Sequence, residues 1–310
     1  MTASPDRSRA KLDPFRPHAF FTERERAESG EVVSVATVFL TNRECPWRCI
    51  YCDLWKNTLT ETVPHGAIPA QMDFALGELQ SQACSQIKLY NAGSFFDPMA
   101  IPPEDFTAIA ERVCHFERVI VECHPALIGD SALRFRDLLN GGERKVELEV
   151  AMGLEIADDA ILAKLNKRMT LEMFARAAKF LRDHDIAVRA FVIVKSPFVH
   201  SDDEALTFAQ RSINFAFDCG AGVVSLIPAR SGAAELDRLA QQGDFAPPKL
   251  ATLEAALDCG VALRRGRVFA DLWDLEKFAE CRSCFEARRQ RLDAMNLEQI
   301  ILPRITCQCA

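Results

Sequence analysis

The chain has 310 residues, with 37 Lys and Arg against 44 Asp and Glu and a net charge of −7. Hydrophobic residues make up 49% and charged residues 26%, so a sizeable core is expected and disorder is not. The acidic balance does not support a protein that grips nucleic acid by its phosphates, and no apolar run reaches the length of a membrane span. The opening stretch is polar and lacks the apolar core of a secretory signal, so a cytoplasmic location is expected.

Apolar, β-branched runs alternate with helix-period stretches along the chain. The first run is Val32 to Leu40, and Gln86 to Ser94 follows a helical stretch from about Gln71 to Ser81. Arg118 to Glu122 follows a helix opened by the segment PPEDF, and Lys145 to Glu155 comes next. Helical segments Asp159 to Leu165 and Leu171 to His184 flank an Asn-Lys-Arg-Met turn. Ile186 to Val194 and Gly222 to Pro228 complete six strand signals, with a helix near Asp203 to Phe217 between them. Strand–helix alternation predicts right-handed βαβ units and a parallel sheet, either an open doubly wound sheet or a partial barrel. No Gly-rich phosphate loop follows the first strand, which disfavours dinucleotide binding. Pro247-Pro248 marks a break. The expected division is an arm at 1–30, the α/β unit at 31–246 and a C-terminal extension at 247–310.

Twelve cysteines without a secretory leader do not read as a disulfide framework. Cys84, Cys114, Cys219 and Cys259 stand alone and read as small buried hydrophobes; Cys123, beside His124, reads as filling a strand end. The informative stretch is Thr41 to Trp55, where Cys45, Cys49 and Cys52 are spaced CxxxCxxC just past the first predicted strand. Three thiolates on one short loop can hold three corners of a cubane cluster, and the missing fourth leaves one iron open. The same spacing can supply three ligands of a zinc site. Tyr51 is placed to shield a cluster from solvent.

This loop resembles the cluster motif of the radical S-adenosylmethionine (SAM) superfamily, and the chain order resembles its partial (β/α)6 TIM-type barrel. The resemblance implies a [4Fe–4S] cluster on Cys45, Cys49 and Cys52, with SAM on the open iron and reductive SAM cleavage to a radical that abstracts hydrogen. It implies an organic substrate and an electron donor such as flavodoxin or ferredoxin. Asn91, Gly93 and Ser94 fall where the family has a Gly-rich segment for the SAM amino group, although only one Gly is present. Glu122 and Glu155 resemble polar strand-end contacts, and Arg168 resembles an Arg that pairs with the SAM carboxylate. Each of these also reads as an ordinary strand-end or surface group. A narrower likeness, in the segments KLYNAGSFFDP, VKSPFVHSDDEAL and SLIPARSG, is to the archaeosine-forming subgroup and its Elongator-type and methylthiotransferase relatives. It raises a modified nucleoside or tRNA as substrate. Arg189, Lys195 and Arg230 are expected to line the barrel mouth.

The tail carries Cys281 and Cys284, then Cys307 and Cys309. Two short-spaced pairs suit a four-thiolate site, either structural zinc or an auxiliary [4Fe–4S] cluster. The rival to the enzyme reading is a non-catalytic zinc-binding interaction protein in which all seven clustered cysteines are structural.

Overall fold

The computed structural model of the chain describes residues 11–79 and 84–307. Among these, eight strands form one sheet in the order in which they occur in the chain. β1 (Ala19–Arg26) pairs antiparallel with β2 (Val32–Leu40). From β2 onward the pairing is parallel, through β3 (Gln86–Asn91), β4 (Arg118–Glu122), β5 (Glu147–Glu155), β6 (Ala187–Val194), β7 (Val223–Pro228) and β8 (Arg267–Ala270). The six strand signals of the sequence correspond to β2–β7. The two edge strands lie outside residues 31–246.

Each parallel connection carries helix. These are α1 (Ala67–Leu79), α2 (Phe106–Val113), α3 (Asp130–Leu139), α4 (Asp159–Lys164), α5 (Leu171–Asp183), α6 (Asp202–Asp218), α7 (Ala234–Gln242) and α8 (Leu250–Ala262). α9 (Arg282–Glu298) follows β8. Local chemistry sets the helix starts. Asp158, Thr170 and Ser201 each cap a helix by accepting a backbone N–H from three residues on, at 3.0, 3.2 and 3.1 Å.

Alternation along the strands divides the molecule into two environments. On β5, Leu148, Val150, Met152 and Leu154 are buried against the helices. The alternate residues Glu149, Gly153 and Glu155 face the concave side. The sheet curls into a half barrel. Arg189 of β6 reaches back to Glu25 of β1 at 2.5 Å and to Glu149 at 2.6 Å, a contact that a flat sheet would forbid. Lys88 joins the same group through Glu25 at 2.6 Å and Glu23 at 2.9 Å, and Arg118 binds Glu149 at 2.7 Å. Burial opposes ionisation of Glu25, but Arg189 and then Lys88 outweigh it and hold the carboxyl well below its usual range. Glu149 is held down in the same way by Arg189 and Arg118. This network plugs the end of the barrel where the parallel strands begin.

Arg189 therefore does not line the mouth, as the sequence suggested. It stands near the start of β6, at the opposite end from the cysteine loop.

Above the plug lies a layer of half-buried aromatic rings. Phe39 and Tyr90 are 6.1 Å apart, Tyr90 and Phe191 6.0 Å, and Phe21 and Phe39 6.0 Å between centroids. α9 bridges the two edges of the sheet. Its Asn296 both donates to and accepts from the backbone of Ala270 at 2.8 Å. Gln299 does the same for Val268 at 2.8 and 2.9 Å. Arg267 of β8 donates to the Arg26 carbonyl of β1 at 2.9 Å.

Candidate metal and cofactor site

Every parallel strand ends on the same face, and that face carries the cysteine loop. The loop is tied off at its base, where Glu44 N–H donates to the Leu59 carbonyl at 2.9 Å and Leu59 N–H to the Asn42 carbonyl at 2.8 Å. Buried Gln71 of α1 accepts from Thr41 N–H and donates to its carbonyl, both at 2.8 Å, which fixes where β2 releases the chain. On one flank, Ile50 N–H donates to the Leu165 carbonyl at 3.1 Å and Asn166 Nδ2 to the Arg48 carbonyl at 2.7 Å. On another, Trp47 stacks on His124 with centroids 3.9 Å apart. His124 Nδ1 accepts from Ala126 N–H at 3.1 Å, so its Nε2 carries the proton and donates to the Lys167 carbonyl at 3.0 Å. Burial, and then Lys167, hold the His124 pKa down to about 4, so it stays neutral. It is a packing platform for the loop.

The three loop cysteines are half-buried. Burial pushes the Cys45 thiol up to about 11 and Cys52 up to about 12, and raises Cys49. Metal ligation reverses that preference, because a coordinated thiol gives up its proton. Beside them the structure assembles residues from four strand ends. An ideal Cβ on Gly93 would stand 3.6 Å from Cys45 Cβ, 3.6 Å from Asn91 Nδ2 and 3.7 Å from Asn42 Nδ2. Both amide atoms of Asn91 and the Oδ1 of Asn42 are buried without a hydrogen-bond partner. Such groups are costly unless a ligand satisfies them. Glu122 accepts the Asn91 N–H at 2.6 Å, and burial pushes its carboxyl up to about 8. A half-buried carboxyl of this kind suits a cationic ligand atom. Ser94 accepts the His124 N–H at 2.9 Å and holds the segment to β4.

Glu155 and Tyr51 meet through a residue that the sequence reading passed over. Lys167 Nζ lies 2.5 Å from Glu155 and 3.4 Å from the Tyr51 hydroxyl. Burial disfavours its charge, but Glu155 and then Cys49 outweigh that and raise its pKa. Gly153 makes room for the pair, since a Cβ there would fall 2.6 Å from Lys167 Nζ. The structure does not bring Arg168 to this group. Its side chain is exposed, lining a surface depression with Ala163, Asn166, Met169, Thr170 and Met173. Asn166 and Arg168 both adopt left-handed backbone, with φ 56° and 57°, and this alternation turns Lys167 inward and Arg168 outward. Of the other expected mouth residues, Lys195 is buried on Asp202 of α6 at 3.2 Å. Arg230 sits at the strand-end rim, tied to Asp271 at 2.8 Å and to the Trp273 carbonyl at 2.6 Å.

The tail cysteines form a separate group. Sγ atoms of Cys281, Cys284 and Cys307 all lie within 4.8 Å of one another, the one such set of three His, Cys, Asp or Glu donors among the described residues. Cys309 lies outside the described residues.

The donor set of the loop fits a cluster with one open iron. Three thiols share one loop, and the unsatisfied amide groups of Asn42 and Asn91 lie beside Gly93, which packs on Cys45.

No family model matches the chain. An uncharacterised protein of Methanocaldococcus jannaschii is 22% identical over 236 residues, which span 72% of this chain and 63% of that protein. Archaeosine synthase subunit beta of Methanosarcina acetivorans is 25% identical over 256 residues, 79% of this chain and 72% of its own length. Among solved structures, Elp3 of Methanocaldococcus infernus with an N-terminal deletion gives a TM-score of 0.54 at 14% identity, covering 73% of this chain and 59% of that one. SuiB of Streptococcus suis bound to S-adenosylmethionine gives 0.50 at 13% identity, covering 76% and 49%. The chain thus spans less than two thirds of the first of these relatives and of both solved chains. No described helix is long and apolar enough to cross a membrane. The eight-stranded half barrel is therefore similar in fold to these two solved chains, and the likeness is one of fold.

Proposed function

We propose that the chain is a radical SAM enzyme whose Cys45, Cys49 and Cys52 hold a [4Fe–4S] cluster. The observation that carries this reading is that Gly93 lies against Cys45 at the strand-end face, with the unpartnered Asn91 amide beside it and Glu122 bound to the Asn91 N–H. With cluster and SAM bound, one-electron cleavage of SAM supplies a 5′-deoxyadenosyl radical for hydrogen abstraction.

The protein's own residues bind and orient. Asn91 offers one donor and one acceptor to a ligand that carries both an amino and a carboxylate group. Glu122 ionises when a cation settles beside it. Lys167 lies beside Cys49 and holds Glu155, so the wall next to the loop cysteines is fixed and charge-paired. Tyr51 packs with Ile193, Ala229 and Phe245 and keeps water from that side of the loop.

The substrate we infer is a base-modified nucleoside, free or in tRNA. The relation to archaeosine synthase subunit beta supports this, as does the half-buried floor of Phe39, Tyr90 and Phe191, whose π-faces suit a flat heterocycle. As electron donor we infer a small one-electron carrier such as flavodoxin or ferredoxin, in the cytoplasm.

Anaerobic reconstitution tests the reading. Wild-type protein should take up about four irons and form 5′-deoxyadenosine from SAM under reduction, and Cys49→Ala should do neither. Protein that binds zinc alone and never cleaves SAM would support the non-catalytic rival instead.

A further inference from the structure

The loop reading leaves the second cysteine group unexplained. Cys281 is the N-cap residue of α9, and Cys284 lies in its first turn. That spacing puts both sulfurs on one side of the helix start. Cys307 arrives from the far end of the chain, after a segment that turns back along α9. Buried Arg291 fastens that return by donating to the Leu302 carbonyl at 2.8 Å, to the Pro303 carbonyl at 3.0 Å and to Asp258 at 2.6 Å. The segment has little core of its own, since Ile300, Ile301 and Ile305 are exposed.

The sulfur geometry selects among the chemistries open to three thiols. Cys281 and Cys307 stand 3.9 Å apart, far from the ~2.05 Å of a disulfide. Zinc binds thiolate at about 2.3 Å, so the edge of a ZnS4 tetrahedron is about 3.8 Å. A cubane places each thiolate on a different iron, and its sulfurs stand wider than the edge of a single-ion tetrahedron. All three sulfurs within 4.8 Å therefore match one ion rather than four irons. Electrostatics favours the anionic ligands. Cys281 and Cys284 stand at the N-terminal end of α9, where the helix dipole favours negative charge. The Arg288 guanidinium lies beside Cys284 while holding Glu254 at 2.7 Å.

We propose that Cys281, Cys284 and Cys307 bind a single tetrahedral zinc ion that staples the C-terminal segment to the start of α9. On binding, each thiol releases its proton to solvent and the resulting thiolate donates to the ion. The proposal uses these three donors; Cys309, which the sequence pairs with Cys307, lies outside the described residues. The ion holds one end of α9 while Asn296 and Gln299 hold the other to β8, so its task is structural. The proposal rests on the tail alone and stands or falls apart from the loop's cluster.

The test uses the full chain with Cys45, Cys49 and Cys52 all changed to Ala, purified without added metal. One zinc ion per chain is expected by elemental analysis. Cobalt exchange should give the visible ligand-field bands of a tetrahedral thiolate site. Cys307→Ser should lose the ion and lower the thermal midpoint, and a chelator should lower the midpoint of the parent protein to match. Iron with acid-labile sulfide in the triple variant would overturn the proposal in favour of an auxiliary cluster. Metal-free protein with a midpoint insensitive to chelator and to Cys307→Ser would overturn it outright. If the triple variant does not accumulate, wild-type protein stripped of its iron by air oxidation gives the same two readings.

Discussion

The two cysteine groups differ in what surrounds them more than in how they are spaced. The loop cysteines ride on an irregular segment, with unpartnered amides, a carboxyl raised by burial and a charge-paired lysine around them. The tail cysteines converge on one point at a helix start, where Arg288 is paired with Glu254 and Arg291 with Asp258, and one buried Arg291 nitrogen is without a partner. The first arrangement gathers its unpartnered amides beside the cysteines; the second surrounds its sulfurs with ion pairs. Short cysteine spacing in a sequence thus marks metal affinity, and the state of the neighbouring polar groups separates a reactive centre from a staple.

The largest test of that contrast is Cys49→Ala. Loop iron and 5′-deoxyadenosine formation should fall to background while tail zinc is unchanged, as read by elemental analysis and chromatography of the SAM products. Loss of both metals together would break the comparison. Arg189→Met comes next. It leaves Glu25 and Glu149 buried without their main partner, a loss of about 3–5 kcal/mol by urea unfolding. In the wild type both carboxyls sit below their usual range, so the native state binds fewer protons than the unfolded chain in acid. Their contribution is complete above the unfolded value of about 4.3. It is lost as pH falls toward the depressed native values. The unfolding midpoint should therefore decline from pH 5 downward, and Arg189→Met should flatten that decline.

Two smaller changes act on the loop alone. Gly153→Ala crowds Lys167 against Glu155 and should cost about 1–3 kcal/mol, with weaker SAM binding by calorimetry and no change at the tail. Trp47→Ala removes the stack on His124 and should cost about 1 kcal/mol. Its signature is faster loss of loop iron to a chelator, with zinc retained.

Much of this was legible in the sequence. The parallel strands β2–β7 announce themselves because both faces of their sheet are covered by protein, which leaves near-continuous apolar runs. β1 was hidden because its inward residues, Phe21, Glu23 and Glu25, mix a ring with two carboxylates whose cationic partners, Lys88 and Arg189, lie on β3 and β6. β8 has four residues, too few to carry a pattern. The three loop cysteines were readable from spacing, whereas Lys167 was not. Lys167 and Arg168 are adjacent cations, and two left-handed residues decide which of them faces inward. Arg189 does not reach the mouth that strand-end position suggests, because it stands third in β6 and not at its end. Counting from Ala187 places it at the closed end.

The side-chain amides of Asn296 and Gln299 occupy the open edge of β8 as a further strand would. An edge completed in this way depends on two carboxamides staying carboxamides. Deamidation at either one replaces an N–H donor with an acceptor opposite a backbone carbonyl. Such a change would remove one of the hydrogen bonds that close the β8 edge. The edge so uncovered would offer the unpaired backbone groups that other strands can bind.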